Sequence, residues 1–174
     1  MTATVRIKKL NHVAWRCIDA EQTRHFYEDI LGLPLVHTIQ ADHVPSTGAY
    51  NPYFHIFFAM ADGSCLAFFD LGDKRGATVS DDMPKWVHHF AMQVDTVEEV
   101  VAMKERLEKA GIDVIGITDH HFVKSIYFFD PNGIRLEVTA QVETDEYMEA
   151  AKRRSHDELT AWMEKKAKLA ATRA

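Results

Sequence analysis

Hydrophobic and polar positions along the chain predict the same series of strands and helices twice. The first series begins with a run rich in β-branched and aromatic residues over 9–18, which predicts a strand carrying His12. Apolar residues at helical spacing then predict a helix that begins after Asp19, a residue suited to the N-cap, and ends at Leu31 before Gly32. A strand followed by a helix therefore opens the fold.

A polar stretch separates this helix from a predicted hairpin. Residues 37–52 contain Pro45, Gly48 and Pro52 and are predicted to form a loop. Strands are predicted over 53–60 and 64–70, joined by a tight turn. A second loop, rich in Gly and Asp, is predicted over 72–84.

The second series has the same order of elements. A strand is predicted over 86–94, followed by a helix that Asp95 or Thr96 caps and Gly111 ends. Short strands follow over 112–117 and 125–130, and a turn at 131–133 leads into a closing strand over 134–140. The order predicts two βαβββ units, module one over about 8–71 and module two over about 85–140.

Two matching segments put the modules in register. His12-Val13-Ala14 aligns with His89-Phe90-Ala91 at an offset of 77, and residues 56–63 align with 126–133 at an offset of 70. Module one therefore contains seven extra residues, which we place around residues 42–50. In this register Glu137 and Ala67 are equivalent positions.

Composition and charge exclude several classes of function and location. The 174 residues carry 20 basic and 26 acidic side chains, a net charge of -6, which argues against a nucleic-acid partner. Cys17 and Cys65 form no Cys-x-x-Cys pair, so no disulfide framework or cysteine-ligated zinc site is expected. The N-terminus lacks a signal-like apolar run and no window approaches the ~20 apolar residues of a membrane span, so we expect a cytoplasmic protein without a membrane partner.

The segment 141–174 follows the two-module domain over 1–140. Its basic and acidic residues are equal in number, so the net charge falls on residues 1–140. Its pattern predicts one or two amphipathic helices, which could cover a sheet or pair with another subunit.

Three of the four repeat-equivalent positions are potential metal ligands: His12, His89 and Glu137. If the two sheets curl into a half-open barrel, its interior receives two imidazoles and one carboxylate, a set that binds a divalent metal and leaves positions open. Taken singly, each histidine also fits a half-buried hydrogen-bonded residue and the glutamate a cross-strand ion pair. A register slip of one residue would turn His88 inward instead.

The sequence at this point resembles the vicinal oxygen chelate superfamily of glyoxalases, extradiol dioxygenases and fosfomycin- and bleomycin-resistance proteins. The resemblance covers about residues 8–140 and rests on LNHVAWRCIDAEQTRHFYEDILGLPL, HHFAMQVDTVEEV and YFFDPNGIRLEV. It implies an α+β fold in which two βαβββ modules form a half-open mixed β-sheet barrel around a metal held by His12, His89 and Glu137. Glyoxalase I relatives have a fourth ligand, commonly Glu, where this chain has Ala67, which favours the three-ligand branch.

Similarity to extradiol dioxygenases implies further site residues. They have a tyrosine ten residues before the glutamate ligand, here Tyr127, and need a histidine or aspartate as acid and base. His120 and His121 lie just upstream, and His55 lies on a neighbouring strand of module one. We take Tyr127, His121 and His55 as the catalytic candidates.

The resulting prediction is an Fe(II)-dependent, ring-cleaving dioxygenase of aromatic catabolism. It would act with dioxygen on a small catecholic or vicinally oxygenated aromatic substrate, and the chain is expected to form a homodimer. The alternatives are a glyoxalase-like lyase, isomerase or hydrolase that uses Mn(II) or Zn(II), and a resistance protein that binds a small molecule without turnover.

Overall fold

The computed structural model describes residues 9–76, 84 and 86–171, which form two βαβββ modules and a C-terminal helix. Module one consists of β1 (His12–Cys17), α1 (Ala20–Arg24) with a following π-helical turn (His25–Ile30), β2 (Leu35–His43), β3 (Tyr50–Ala59) and β4 (Cys65–Asp70). Module two consists of β5 (His89–Gln93), α2 (Val97–Lys109), β6 (Ile115–Asp119), β7 (Val123–Phe129) and β8 (Arg135–Gln141). The helix α3 (Asp145–Ala171) follows.

Each module contains a four-stranded mixed sheet. The strand orders are β1-β4-β3-β2 and β5-β8-β7-β6, and the first strand of each sheet runs parallel to its neighbour. Ala14 lies opposite Ala67, and Ala91 lies opposite Glu137. The register of the repeat is therefore the same in both modules, and the α+β class is confirmed. The sheets are not hydrogen-bonded to each other and do not close into a barrel.

The prediction of a loop over residues 37–52 is wrong. This stretch contains most of β2 and the start of β3, which pair as a long antiparallel hairpin. Most residues of β2 are exposed, because it is the edge strand of its sheet. An edge strand with polar residues on both faces lacks the alternation by which strands are recognised. The loop of residues 44–49 at the hairpin tip lies within the segment to which the extra residues were assigned.

Both predicted helices form, and their caps are specific. The Asp19 side chain accepts the Gln22 N–H at 2.8 Å, and the helix ends before Gly32, whose φ is +84°. In module two, Thr96 rather than Asp95 is the N-cap, and it forms a reciprocal capping box with Glu99. The first helix departs from expectation only in its π-helical second half, a register that hydrophobic spacing does not resolve.

Two strands in module two begin three residues later than predicted. The strand predicted over 86–94 begins at His89, because Trp86 to His88 form a turn in which Trp86 is largely exposed. The strand predicted over 112–117 begins three residues later, at Ile115. Of the loop predicted over 72–84, residues 77–83 lie outside the described residues, as does Lys85 beside it.

Buried polar contacts join the modules. The Tyr27 hydroxyl, on the helix of module one, donates to Asp130 Oδ2 at 3.0 Å in module two. The Ile18 N–H donates to Asn132 Oδ1 at 2.8 Å, and Asn132 Nδ2 donates to Thr23 Oγ1 at 3.2 Å. The Asp-Pro-Asn-Gly turn of module two is therefore part of the contact between the modules.

The apolar core extends across this contact. Fully buried residues of both modules belong to it: Cys17, Phe58, Phe68, Val100, Leu107, Ile126, Phe128 and Leu136. At its edge, the Trp15 and Phe90 rings pack edge to face with centroids 5.5 Å apart. This contact links β1 to β5, the strands that carry His12 and His89.

The helix α3 confirms the predicted helical extension as a single helix. In the described part of the chain, the helices are too short or too polar to span a bilayer.

Candidate metal centre

The Glu137 carboxylate and the His89 imidazole face each other across two neighbouring strands. The strands β5 and β8 pair in parallel with His89 opposite Arg135, so His89 and Glu137 project from the same face. His89 Nε2 lies 3.0 Å from Glu137 Oε2. Glu137 is only 6% exposed, and burial of an isolated carboxylate is unfavourable. The structure therefore brings two of the three predicted ligands together.

The second nitrogen of His89 determines which atom is available to a cation. Nδ1 lies 3.1 Å from the carbonyl oxygen of Val87, so it carries a proton and donates it. Nε2 then presents a lone pair to a carboxylate oxygen, and such a short contact between two acceptors requires a proton or a metal cation between them. Metal-binding histidines commonly donate their other N–H to a backbone carbonyl in this way. The pair fits a divalent cation in donor type and orientation.

His12, the third predicted ligand, lies apart from this pair. Its Nδ1 donates to the side-chain oxygen of Asn11 at 2.8 Å, which leaves Nε2 as the acceptor nitrogen. Its ring lies 5.5 Å from Phe57 and 6.3 Å from His55, centroid to centroid. Within residues 9–76, 84 and 86–171, no group of three His, Cys, Asp or Glu side chains is arranged to hold a metal. His12 thus has a suitable tautomer but does not complete a three-ligand centre here.

Tyr127 lies next to the His89–Glu137 pair. It is directly opposite Glu137 in the pairing of β7 with β8, and its ring packs edge to face on His89 with centroids 6.0 Å apart. Its hydroxyl lies 2.6 Å from His120 Nε2. Burial raises the pKa of Tyr127, and the nearby Glu137 carboxylate raises it further, so the phenol stays protonated at neutral pH. Tyr127 and His120 form a hydrogen-bonded pair beside the proposed ligands.

The neighbouring histidine, His121, has a different position. It lies in the turn between β6 and β7 with φ of +71°, and its backbone N–H donates to Asp119 Oδ1 at 2.8 Å. Both histidines are exposed, but His120 contacts the Tyr127 hydroxyl. Sequence reasoning could not choose between adjacent turn residues, because strand parity does not extend into a turn.

His55 lies on the equivalent face of module one. It is 4% exposed, stacks on Phe69 with centroids 3.6 Å apart, and packs edge to face on Phe57. Its Nδ1 is buried without a hydrogen-bond partner in the structure. Burial lowers the pKa of His55, and the nearby His12 and His37 lower it further, so the imidazole is neutral at pH 7.

The two modules present equivalent but chemically different faces. Phe57 in module one corresponds to Tyr127 in module two, and each packs edge to face on the histidine of its own first strand. Ala67 corresponds to Glu137. Both faces therefore carry imidazoles, but the carboxylate and the phenol of module two are replaced by an alanine and a phenylalanine in module one.

Arg135 is a site residue that the sequence analysis did not select. Its Cζ lies 4.3 Å from the centroid of the Tyr127 ring. The signal was available, because Arg135 is two residues before Glu137 on a strand and must share its face.

Comparison with known proteins supports the class that this fold and site define. The profile of the Glyoxalase/Bleomycin resistance protein/Dioxygenase superfamily matches residues 9–138, which span both modules. The chain therefore belongs to this superfamily, as the sequence resemblance indicated.

One curated relative has a named reaction. The Bacillus subtilis (strain 168) protein "Putative ring-cleaving dioxygenase MhqA" is 34% identical to this chain over 120 residues. The match covers 69% of this chain and 35% of the relative, so the chain spans about a third of that protein.

Solved structures share the fold. A glyoxylase/bleomycin resistance protein/dioxygenase domain from Frankia sp. EAN1pec superposes with a TM-score of 0.63 at 16% identity, covering 79% of this chain and all of that one. A mutant of the fosfomycin resistance protein FosX from Listeria monocytogenes, complexed with Mn(II) and 1S,2S-dihydroxypropylphosphonic acid, gives 0.58 at 20% identity. It covers 82% of this chain and all of that chain. At these identities the likeness concerns the fold alone.

Proposed function

We propose that this protein is a metal-dependent enzyme that cleaves the ring of a small, vicinally oxygenated aromatic substrate with dioxygen. The observation that carries the proposal is the contact of His89 Nε2 with Glu137 Oε2 at 3.0 Å, made by a buried carboxylate and an imidazole whose other nitrogen is already bonded. The named reaction of the Bacillus subtilis relative supports the reaction class.

His89 and Glu137 would hold the metal, and His12 would be the third ligand. Two histidines and one carboxylate are the donor set of Fe(II) oxygenases with open coordination positions, and Fe(II) is therefore our first choice over Mn(II) or Zn(II). Bound iron would supply open coordination positions for the substrate and for dioxygen. The backbone carbonyl of Val87 fixes the His89 tautomer, so that Nε2 remains the ligand atom.

Tyr127 and His120 would move the substrate's protons. The phenol is protonated at neutral pH and lies 2.6 Å from His120 Nε2, so it can donate its own proton to the imidazole as it accepts one from a substrate hydroxyl. His121, the candidate from the sequence, stays a prediction. His120 has the observed contact, and the two histidines can be compared by mutation.

The aromatic face of module one would cover the substrate ring. Phe57 and Phe69 present apolar surface, and His55 adds a neutral imidazole with one unbonded nitrogen. A substrate hydroxyl is the kind of group that satisfies such a nitrogen. In this role His55 orients the ring while the polar face of module two carries the chemistry.

Metal analysis of protein purified without oxygen tests the proposal first. We expect stoichiometric iron that is lost in His89→Ala and in Glu137→Gln and retained in His88→Ala, the matched control at an exposed neighbouring position. Stoichiometric manganese or zinc would favour the lyase or hydrolase alternative. Absence of any bound or activating metal would leave only the binding protein.

Oxygen consumption with a panel of catechols tests the reaction itself. We expect Tyr127→Phe to retain the metal and to lower kcat by about 10²–10⁴-fold, the range of general acid–base catalysis. His120→Gln is expected to lower kcat more than His121→Gln. No oxygen uptake with any catechol would refute ring cleavage even if iron were bound.

Association of two copies into a homodimer also stays a prediction. Light scattering of the purified protein, coupled to size-exclusion chromatography, would measure the mass against the 19.9 kDa of one chain.

A further inference from the structure

Arg135 is a cation on the face that carries the proposed metal ligands. It lies opposite His89 in the pairing of β5 with β8, and its guanidinium carbon is 4.3 Å from the Tyr127 ring centroid. Its position two residues before Glu137 places it beside that carboxylate on the same strand. Any ligand that contacts Tyr127 and the His89–Glu137 pair would come close to this guanidinium.

Arg135 has a side-chain donor without a partner among the described residues. Its Nε is buried and has no hydrogen-bond partner, and within the described parts of the chain no carboxylate forms an ion pair with it. The nearest acid along its strand, Glu137, is paired with His89. By contrast, Arg24 contacts Glu21, Glu28 and Asp29. Arg135 is therefore a cation in the site without a carboxylate partner among the described residues.

Stacking on an aromatic ring leaves the guanidinium ready for an anion. A guanidinium whose carbon lies over a ring, as that of Arg135 does over Tyr127, can still direct the N–H donors in its plane to an anion. That planar edge matches a carboxylate, which accepts two parallel N–H bonds. Because the whole chain carries a net charge of -6, long-range attraction does not favour anions, and selection must come from this short-range contact.

We propose that Arg135 binds an acidic group of the ligand and that the site selects aromatic acids, such as carboxylated catechols, over neutral analogues of the same size. The substrate class rests on the proposed function, whereas the anion contact at Arg135 does not. A purely structural role, in which Arg135 only positions the Tyr127 ring, is the competing explanation.

Binding calorimetry without oxygen compares matched ligands. The probes are 3,4-dihydroxybenzoate and 4-methylcatechol, which share the vicinal hydroxyls and differ in charge, together with 4-methylbenzoate, which has the charge without the hydroxyls. We expect the wild-type protein to bind 3,4-dihydroxybenzoate at least about tenfold more tightly than 4-methylcatechol, the lower range for hydrogen bonds to a charged group. Arg135→Gln should abolish this preference, leave affinity for 4-methylcatechol within about twofold and leave metal content unchanged.

Two further variants separate the explanations. Arg135→Lys keeps the charge but not the two-pronged geometry, and we expect it to retain part of the preference. Arg16→Gln is the matched control, because Arg16 also lies on a first-strand face of the site but is paired with Asp73. It should keep the full preference.

The outcomes distinguish this inference from the proposed function. If the protein binds no metal but 4-methylbenzoate binds and is lost in Arg135→Gln, the anion contact stands and the dioxygenase proposal fails. If Arg135→Gln weakens the neutral and anionic ligands equally, Arg135 is structural and the inference is wrong. Equal affinity of the wild-type protein for charged and neutral ligands, or no binding of any of the three, would also overturn it.

Discussion

The hydrogen bond between Tyr27 and Asp130 joins the two modules, and Tyr27→Phe tests its contribution. Tyr27 is fully buried and Asp130 is 5% exposed, with 3.0 Å between the hydroxyl and Oδ2. The substitution removes the hydroxyl and keeps the ring, so packing against Phe58 and Phe68 is preserved. The observed effect would therefore report the hydrogen bond rather than a cavity.

The expected magnitude follows from what Asp130 retains. A hydrogen bond to a charged group contributes about 1.5–3 kcal/mol. Asp130 would keep three N–H donors, the backbone groups of Asn132 and Ile134 and the Asn132 side chain, at 2.7 to 3.0 Å. We therefore expect a loss near the lower end, about 1.5–2 kcal/mol, and a fall in Tm of about 3–8 °C for a chain of this size.

The loss should depend on pH. Burial raises the pKa of Asp130 above its ordinary value, and the Tyr27 hydroxyl opposes this effect. Because the pKa of Asp130 is higher in the folded state than in the unfolded state, protonation of this acid stabilises the fold. The contribution is complete below the unfolded-state pKa and is lost as pH rises through the folded-state pKa. Tyr27→Phe raises the folded-state pKa further, so its additional destabilisation should be small in acid and full well above that pKa.

Urea unfolding followed by tryptophan fluorescence at pH 4 and pH 8 measures both effects. Tyr53→Phe is the matched control, because the Tyr53 ring packs on Phe69 and its hydroxyl has no hydrogen bond in the described structure. It should change stability by less than about 0.5 kcal/mol. A loss in Tyr27→Phe that is equally small, or equally large at both pH values, would refute the assigned role of the Asp130 carboxylate.

Two substitutions test local backbone features. Thr96→Ala removes the capping side chain that accepts the Glu99 N–H and should lower the free energy of unfolding by about 1 kcal/mol. Asp95→Ala, measured by the same urea unfolding, should change it by under about 0.5 kcal/mol. The reverse order of the two losses would assign the cap to Asp95. Gly133→Ala introduces a side chain at φ +84° where no atom lies within 4 Å, so backbone strain alone should lower stability by about 1–2 kcal/mol. Gly133→Asn should lose less in the same assay, and equal losses would contradict the strain argument.

The repeat was predictable because its two halves share both residue types and spacing. The sequence alignment pairs Ala67 with Glu137, and strand pairing places them opposite Ala14 and Ala91 in the same register. The strand β2 was missed for the opposite reason, since an exposed edge strand has no buried face to produce alternation.

The site was predictable only where strand parity applies. The resemblance selected Tyr127, and the antiparallel pairing of β7 with β8 places it on the face of Glu137. Strand parity could not select His120 over His121, because the positive φ of His121 belongs to a turn. It also could not show where His12 lies relative to the other module, because that depends on how two sheets pack rather than on the register within either.

Ala67 marks the chemical difference between the modules, and Ala67→Glu tests whether their equivalence extends to metal binding. Ala67 is 1% exposed and occupies the position in module one that is equivalent to Glu137 in module two. A carboxylate there should lie beside His12 as Glu137 lies beside His89. Because a buried charge without a cation is unfavourable, the metal-free variant should lose about 2–4 kcal/mol of stability.

Divalent metal should reverse that loss, since a cation between the new carboxylate and His12 offsets its burial. Thermal melts with and without Mn(II) or Zn(II) should therefore show a larger metal-dependent rise in Tm for Ala67→Glu than for the wild-type protein. Ala67→Gln, which has the same shape without the charge, should lose stability and show no additional rise with metal. If the Glu and Gln variants respond to metal alike, the geometry around His12 differs from that around His89. In that case the pairing of imidazole and carboxylate belongs to module two alone.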